Sequence, residues 1–196
     1  MKKIEAVYRE ILYEVLEKKK FSFTQSELSK SLGISLSIVN SAIKRLESMG
    51  ALKINQRGFN LIDIKKILYY WASIRNLDKD IVFAVRIDLS VRELERFMPN
   101  LMMTAYSAYK FRFDDVPADY SEIYVYADEK ELEIIKKRIS KFKTSQNNPN
   151  FFILKKDNLI DLYNKIPLAN IFVDLWNLKE WYAKDFILNF EKNLGV

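Results

Sequence analysis

The 196-residue sequence predicts an α+β protein with two domains. Apolar residues recur at intervals of three and four in the N-terminal part, which is typical of amphipathic helices. After about residue 80, short apolar runs alternate with amphipathic segments, which indicates strands interleaved with helices. Residues 1–76 carry fourteen Lys and Arg against seven Asp and Glu, a net charge of +7, whereas residues 77–196 carry eighteen against nineteen, a net charge of −1. We therefore predict a small basic domain over residues 1–76 and a mixed α/β domain over residues 77–196.

The first helix is predicted from an apolar stripe that ends in three lysines. The members of the stripe would share one face of a helix: Ile4, Val7, Tyr8, Ile11, Leu12, Val15 and Leu16. Lys18, Lys19 and Lys20 follow, and cations are favourable at the negative, C-terminal end of a helix.

A second, shorter helix is bounded by recognisable start and stop signals. Thr24 and Glu27 have the spacing of a capping box, which predicts a helix from Gln25 to about Leu32. Gly33 then provides the left-handed backbone conformation that ends a helix and turns the chain. Two helices joined by such a short turn form a helix-turn-helix unit.

The helix after this turn is predicted to present a polar face to solvent. Ser35 is its expected N-cap, and the helix runs from Leu36 to Met49. Helical spacing turns three apolar residues inward: Val39, Ile43 and Leu46. It turns a polar set outward: Ser37, Asn40, Ser41, Lys44 and Arg45. Polar side chains of this kind can hydrogen-bond base edges, and Lys or Arg can also reach phosphate.

A β-hairpin is predicted directly after this helix, which Gly50 ends. Residues 51–55 and 59–62 alternate in hydrophobicity as strands do, and Gln56-Arg57-Gly58 lies between them. Gly58 is expected where the hairpin tip needs a positive φ. Arg57, at the tip, is placed to enter a minor groove or to touch a phosphate.

The stretch TQSELSKSLGISLSIVNSAIKRLESMGAL and its continuation KINQRGFNL resemble the winged helix-turn-helix family of transcription regulators. The resemblance implies that the helix over Leu36–Met49 lies in the major groove of double-stranded DNA and that the hairpin is the wing. The predicted DNA-binding residues are Ser35, Ser37, Asn40, Ser41, Lys44, Arg45, Lys53 and Arg57. An alternative interpretation stays open, because a helix-turn-helix can also serve only as a protein–protein module.

The chain beyond the hairpin begins with a further helix and continues into the second domain. Asp63 is the predicted N-cap of a helix that reaches about Asn76, and its apolar face serves either a dimer contact or simple packing: Ile64, Ile67, Leu68, Trp71 and Ala72. Strands are predicted at residues 81–87, 122–126 and 151–154, and helices at 90–98, 101–109, 129–143, 159–166 and 180–194, with 169–175 as a strand or the start of a buried helix. Ser90 and Asp128 are the predicted N-caps of two of these helices, Pro99 ends the first of them, and residues 145–150 are a polar turn.

Three C-terminal segments resemble the C-terminal domain of AbiEi-type proteins: LMMTAYSAYKF, EIYVYAD and PLANIFVDLWNLKEWYAKDFILNFEKNL. These are winged-helix regulators, and many of them are antitoxins of type IV toxin–antitoxin systems. Five residues occupy the tail pattern of that family, Asp174, Leu175, Trp181, Ala183 and Phe186, whereas NLKEWY replaces its glycine-rich segment. The resemblance implies autoregulatory operator binding and a toxin-like, nucleotidyltransferase-like protein partner.

The composition removes most catalytic chemistry. The chain has no Cys and no His, which excludes disulfides, thiolate nucleophiles, Cys/His zinc sites and imidazole catalysis. The acidic residues of the middle segment lack the spacing of a calcium loop and are expected to lie in a solvated loop rather than at a metal: Asp114, Asp115, Asp119, Glu122 and Asp128. Phosphate-binding glycine motifs are also missing. We predict that the protein is not an enzyme, has no catalytic residues and binds neither a cofactor nor a metal.

The predicted function is therefore a sequence-specific DNA-binding transcription regulator that works as a homodimer in the cytoplasm, without a membrane span. The alternative is an adaptor that holds a protein through the winged fold and an aromatic tail. The aromatic residues of that tail are expected to pack in the core or a dimer interface, with a ligand pocket as the other option: Trp176, Trp181, Tyr182, Phe186 and Phe190.

Overall fold

The computed structural model describes residues 1–98 and 101–195, so the predicted helix end at Pro99 lies outside the described residues. The fold is α+β, as predicted, and it divides into two compact units. The first unit contains Met1–Arg75, Pro167–Val173 and the residues from Glu191 onward; the second contains Asn76–Ile166 and Asp174–Phe190. Residues 77–196, predicted as one domain, are divided between the two units.

The first unit is built from a group of helices and a small antiparallel sheet. Its N-terminal helices are α1 (Lys3–Lys18), α2 (Gln25–Leu32), α3 (Leu36–Ser48) and α4 (Ile64–Ile74). Its strands are β1 (Ser22–Phe23), β2 (Leu52–Asn55) and β3 (Gly58–Leu61), in the order β1-β3-β2. The hairpin of β2 and β3 pairs Asn55 with Gly58, which leaves Gln56 and Arg57 as the tip. Helices α2 and α3 with this hairpin form the predicted winged helix-turn-helix arrangement.

Two glycine turns set the directions of α2 and α3. Gly33 has φ 60°, its N–H bonds the carbonyl of Lys30, and the N–H of Ile34 reaches the carbonyl of Ser29. This pair of hydrogen bonds is a Schellman motif, which needs a left-handed residue and so favours glycine. Gly50, with φ 71°, ends α3 in the same way. Both predicted turns are confirmed.

The reason predicted for Gly58 is wrong. The φ angle of Gly58 is not positive. A Cβ atom at this position would lie 2.2 Å from the carbonyl oxygen of Phe23, which is too close for any side chain. Glycine is required here because β1 approaches the hairpin closely through Phe23, a long-range contact that the local sequence does not show.

The predicted caps of α2 and α3 are only partly right. The Thr24 hydroxyl accepts a hydrogen bond from the Glu27 N–H at 3.1 Å, but the Glu27 carboxylate bonds the Lys20 ammonium rather than closing the capping box. Ser35 occupies the N-cap position of α3, yet within the described residues its side chain makes no capping hydrogen bond. Asp63 caps α4 as predicted, through the N–H of Lys66 at 3.0 Å.

Helix α1 forms the centre of the first unit. Its predicted stripe is buried except for the half-buried Ile4 and packs against α3 and α4, with Val7, Ile11 and Leu12 fully covered. The buried Glu5 carboxylate accepts a hydrogen bond from Trp71 Nε1 at 3.2 Å and lies 3.8 Å from the buried Arg75 guanidinium. A charge is stable at this depth only with such partners. The interaction therefore fixes α4 on α1.

Two C-terminal segments complete the first unit. The Phe172 ring meets the Tyr69 ring edge-on, with centroids 5.3 Å apart. Tyr69 Oη also donates a hydrogen bond to Glu191 Oε1 at 2.9 Å, and the Leu168 N–H donates to Glu17 Oε1 at 2.9 Å. These residues lie far apart in sequence, so no local pattern predicts their contacts.

The second unit contains a mixed sheet in the order β5-β6-β8-β4-β7. The strands are β4 (Ile81–Ile87), β5 (Met102–Thr104), β6 (Ile123–Ala127), β7 (Thr144–Ser145) and β8 (Phe151–Lys155). Strands β6 and β8 are parallel and the other pairs are antiparallel. Helices α5 (Val91–Phe97), α6 (Ala105–Phe113) and α7 (Glu129–Ile139) belong to this unit, whereas α8 (Leu168–Trp176) and α9 (Ala183–Leu194) each have residues in both units. The predicted caps Ser90 and Asp128 both form complete capping boxes.

Several predicted boundaries in this part of the chain are wrong. Residues 102–104 form β5 rather than the start of a helix, because their backbone pairs with β6 and pairing outweighs local preference. Helix α7 ends at Ile139 instead of Lys143, since Thr144 pairs with β4. The helix expected at 159–166 is a 3-10 turn over Ile160–Leu162, and Pro167 disfavours helical backbone at the residue before it. The ambiguous segment 169–175 lies within α8, and α9 starts at Ala183 rather than at residue 180.

The aromatic tail does not form one buried face. Phe186 and Phe190 are fully buried, and the Phe186 ring contacts the Tyr109 ring at a centroid distance of 5.2 Å. Trp181, in contrast, is 80% exposed and Trp176 is 45% exposed. Core packing is thus confirmed for the phenylalanines and does not occur for these two tryptophans, for which packing in a dimer interface stays a prediction. None of the helices in the described ranges is long and apolar enough to cross a membrane.

Candidate nucleic-acid interface

The outer face of α3 carries the polar side chains that the sequence analysis selects. Ser35, Ser37 and Ser41 are exposed, as are Lys44 and Arg45. Asn40 lies among them and is half-buried. The structure thus brings these residues to one exposed surface, which we call the α3 face: Ser35, Ser37, Asn40, Ser41, Lys44 and Arg45.

The opposite side of α3 fixes the helix in the unit. Val39, Ile43 and Leu46 are 0% exposed, and α3 packs against both α1 and α2. Each fully buried aliphatic side chain of this size contributes about 1.5–3 kcal/mol relative to an exposed one. The α3 face is therefore presented by a rigid element, as accurate placement of binding groups requires.

The wing adds two exposed cations, Lys53 on β2 and Arg57 at the tip. The strands behind them are held by the Phe23 and Phe59 rings, which stack with centroids 5.5 Å apart. The close approach of Gly58 to Phe23 joins β1 to the same hairpin. Arg57 is therefore carried on a short tip whose base is well packed.

The cations of the first unit fall into two groups. Lys18 pairs with Glu14 at 2.6 Å, and Lys65 pairs with Glu191 at 3.2 Å. The hydrogen bond to Glu14 raises the pKa of Lys18. Lys44, Lys53 and Arg57, in contrast, form no salt bridge with any acidic residue in the described ranges. The α3 face and the wing therefore carry uncompensated positive charge, as do Lys3, Lys19 and Lys30 elsewhere on the unit.

Arg45 has a neutral partner instead of an acidic one. Its Nη1 donates a hydrogen bond to the Tyr70 phenolic oxygen, 3.3 Å away on α4. This hydrogen bond is the main cause that raises the pKa of Arg45. The guanidinium keeps its full charge, and the Tyr70 hydroxyl orients it. Tyr70 is not among the predicted site residues.

Leu36 is an exposed apolar residue beside the polar side chains of the α3 face, and it is not among the predicted site residues. Leu36, the first residue of α3, is 52% exposed. It lies between the exposed Ser35 and Ser37 and four residues before Asn40. Extending the helical spacing backwards from Asn40 would have placed Leu36 on the outer face.

The described residues offer little for metal chemistry. They contain no group of three or more His, Cys, Asp or Glu that could hold a metal ion. Of the acidic run in the second unit, Asp115 accepts a hydrogen bond from the Asn189 amide and Asp128 caps α7. The arrangement on the α3 face and wing suits a polyanion with hydrogen-bonding edges, such as a nucleic acid duplex.

Comparison with known proteins supports the assignment of the first unit. A family model described as an HTH domain matches residues 8–59, from α1 to the second strand of the wing. No curated protein matches the chain, and no solved structure matches it. The match supports a helix-turn-helix regulator that binds DNA. It stops before the second unit and does not support the AbiEi-type resemblance of the C-terminal segments.

Proposed function

We propose that this protein is a sequence-specific regulator of transcription that binds double-stranded DNA and catalyses no reaction. Helix α3 enters the major groove, where Asn40 and the serines meet base edges. Lys44 and Arg45 contact phosphate or guanine, while Lys53 and Arg57 on the wing contact the backbone or the adjacent minor groove. The proposed location of this regulator is the cytoplasm, where it would have access to DNA.

A single observation carries the proposal. Lys44, Lys53 and Arg57, which have no acidic partner in the described residues, lie on the α3 face and the wing, where small polar side chains such as Ser37 and Ser41 are also exposed. Unpaired cations beside small polar side chains match the chemistry of duplex DNA, because phosphate neutralisation supplies affinity and base edges supply specificity.

We further propose that the protein binds as a homodimer. One helix of this length reaches only a few bases, and paired half-sites multiply those contacts. The symmetric operator that follows would have half-sites about 10 base pairs apart, or a multiple of this. The finer proposal, an autoregulating antitoxin with a toxin-like partner at the second unit, rests on the resemblance to AbiEi-type regulators alone.

The test is selection of bound sequences from random duplexes with the full-length protein, followed by affinity measurements on the selected duplex over a range of salt concentrations. We expect a consensus sequence and a logarithm of affinity that falls linearly with the logarithm of salt concentration. Retention of all duplexes with equal affinity would reject sequence specificity.

A protein-interaction adaptor is the second candidate, and the exposed Trp181 and Trp176 of the second unit favour it. Large exposed aromatic side chains are enriched at protein interfaces. The same experiment separates the two candidates, because an adaptor would not be retained on duplex DNA even at low salt.

A further inference from the structure

Leu36 is the most exposed aliphatic residue of α3. Val39, Ile43 and Leu46 are fully buried, whereas half of the Leu36 side chain is exposed to solvent. Single exposed apolar residues are common on protein surfaces and need no explanation by themselves. The position of Leu36 is what distinguishes it, because it lies inside the α3 face.

The neighbours of Leu36 place it at the level where base edges would lie. It is the first residue of α3, and Ser35 and Ser37 on either side are small and exposed. Residues at the N-terminal end of a recognition helix contact base edges in the major groove. Asn40 follows one helical turn later, so Leu36 and Asn40 share one side of the helix.

The major groove has one apolar group among the unmodified bases, the C5-methyl group of thymine. The other edges present hydrogen-bond donors and acceptors, which a leucine would desolvate without replacing their bonds. Asn40, in turn, can form two hydrogen bonds with adenine. These two side chains therefore match neighbouring thymine and adenine bases.

We propose that Leu36 is a specificity-determining residue that recognises a thymine methyl group in the operator, next to an adenine bound by Asn40. This inference rests on the proposed function, since it requires that α3 lies in the major groove. It adds a base preference that the polar residues of the α3 face do not provide.

The test uses the selected duplex and replaces each thymine in turn with deoxyuridine, which removes the methyl group and keeps the base pair. For the unaltered full-length protein, we expect one thymine in each half-site at which this replacement lowers affinity about fourfold, the effect of one methyl group that leaves an apolar contact. The remaining thymines should be insensitive.

The variant Leu36→Ala, measured on the thymine and the deoxyuridine duplexes, tests whether Leu36 makes the methyl contact. Its affinity for the thymine duplex should fall to that of the unaltered protein for the deoxyuridine duplex, and its own response to deoxyuridine at that position should disappear. Leu162→Ala is the matched control, because Leu162 lies in the second unit and is 57% exposed. The control should bind both duplexes as the unaltered protein does.

Failure of the inference can be distinguished from failure of the proposed function. If the full-length protein binds no duplex, the proposed function is wrong and the inference with it. If the protein binds its consensus but no deoxyuridine replacement changes affinity, the proposed function stands and the role of Leu36 is wrong. Continued sensitivity of Leu36→Ala to deoxyuridine would assign the methyl contact to another residue. The deoxyuridine measurement uses the unaltered protein, so the inference can be rejected even if the Leu36→Ala variant does not fold.

Discussion

Arg45 Nη1 donates a hydrogen bond to the Tyr70 phenolic oxygen across 3.3 Å, and this bond connects the α3 face to helix α4. Arg45 is itself exposed, so the partner restricts the guanidinium without burying it. Holding a long side chain near one geometry reduces the entropy that it loses on binding. Tyr70 thus serves as a positioning residue for a candidate DNA contact.

The first prediction concerns this bond. Tyr70→Phe removes the acceptor and should weaken binding to the selected duplex roughly twofold, because the unrestrained Arg45 side chain then loses about 0.5 kcal/mol more conformational entropy on binding. In an Arg45→Ala background the same change should have no effect. Affinity measured for both single variants and the double variant tests the coupling. Equal losses in both backgrounds would mean that Tyr70 contacts DNA directly.

The second prediction separates cations that contact phosphate from cations that do not. Lys44→Ala and Arg57→Ala should each reduce the slope of log affinity against log salt by roughly 0.9, the value for one phosphate contact on duplex DNA. Lys137→Ala is the charge-matched control, because Lys137 is exposed on the second unit. The control should leave the slope unchanged. An unchanged slope for Lys44→Ala and Arg57→Ala would show that neither side chain contacts a phosphate.

Local signals predicted the helix-turn-helix well and the sheet edges poorly. Thr24, Gly33 and Asp63 act on residues within one helical turn, so sequence spacing alone shows their effect. Strand β1 went unpredicted because two residues carry no periodicity, and only pairing with β3 makes them a strand. The start of α6 was misplaced for the same reason, since β5 exists only through its pairing with β6.

In the candidate site, too, local patterns were predicted correctly and contacts between distant residues were not. Helical periodicity was enough to select Ser37, Asn40 and Lys44, because the inward residues of α3 define its outward side. It could not show that Tyr70 on α4 reaches Arg45, a contact between residues 25 positions apart. Nor could it show which cations are paired, as Lys65 finds Glu191 only in the folded chain.

The third prediction concerns the buried carboxylate of α1. Glu5→Ala removes the group that accepts the Trp71 hydrogen bond and faces the buried Arg75 guanidinium. Loss of one partner from a buried ion pair costs about 3–5 kcal/mol, so the free energy of unfolding should fall by that amount. Chemical denaturation measures it. Glu47→Ala, at an exposed position of the same unit, should change stability by less than about 0.5 kcal/mol. A similar small change for Glu5→Ala would show that the pair is not structural.

The fourth prediction is a loss of stability in alkaline solution. Burial and the hydrogen bond to Glu191 raise the pKa of Tyr69 to about 12, and burial and the bond to Glu122 raise the pKa of Tyr182 to about 12. Burial also raises the pKa of Tyr106, Tyr120 and Tyr124. An unfolded tyrosine titrates near pH 10. The folded state thus holds the phenolic protons more tightly than the unfolded state does.

The sign of the pH dependence follows from this difference. Below pH 10 these tyrosines are protonated in both states, and their contribution to stability is fully present. Between pH 10 and about 12 the unfolded state releases protons that the folded state retains, so the free energy of unfolding decreases as pH rises. Urea titrations at a series of pH values should show this decrease, and phenolate absorbance of the folded protein should rise later than absorbance of the protein in denaturant. Coincident absorbance curves for the folded and the denatured protein would contradict the burial of these hydroxyl groups.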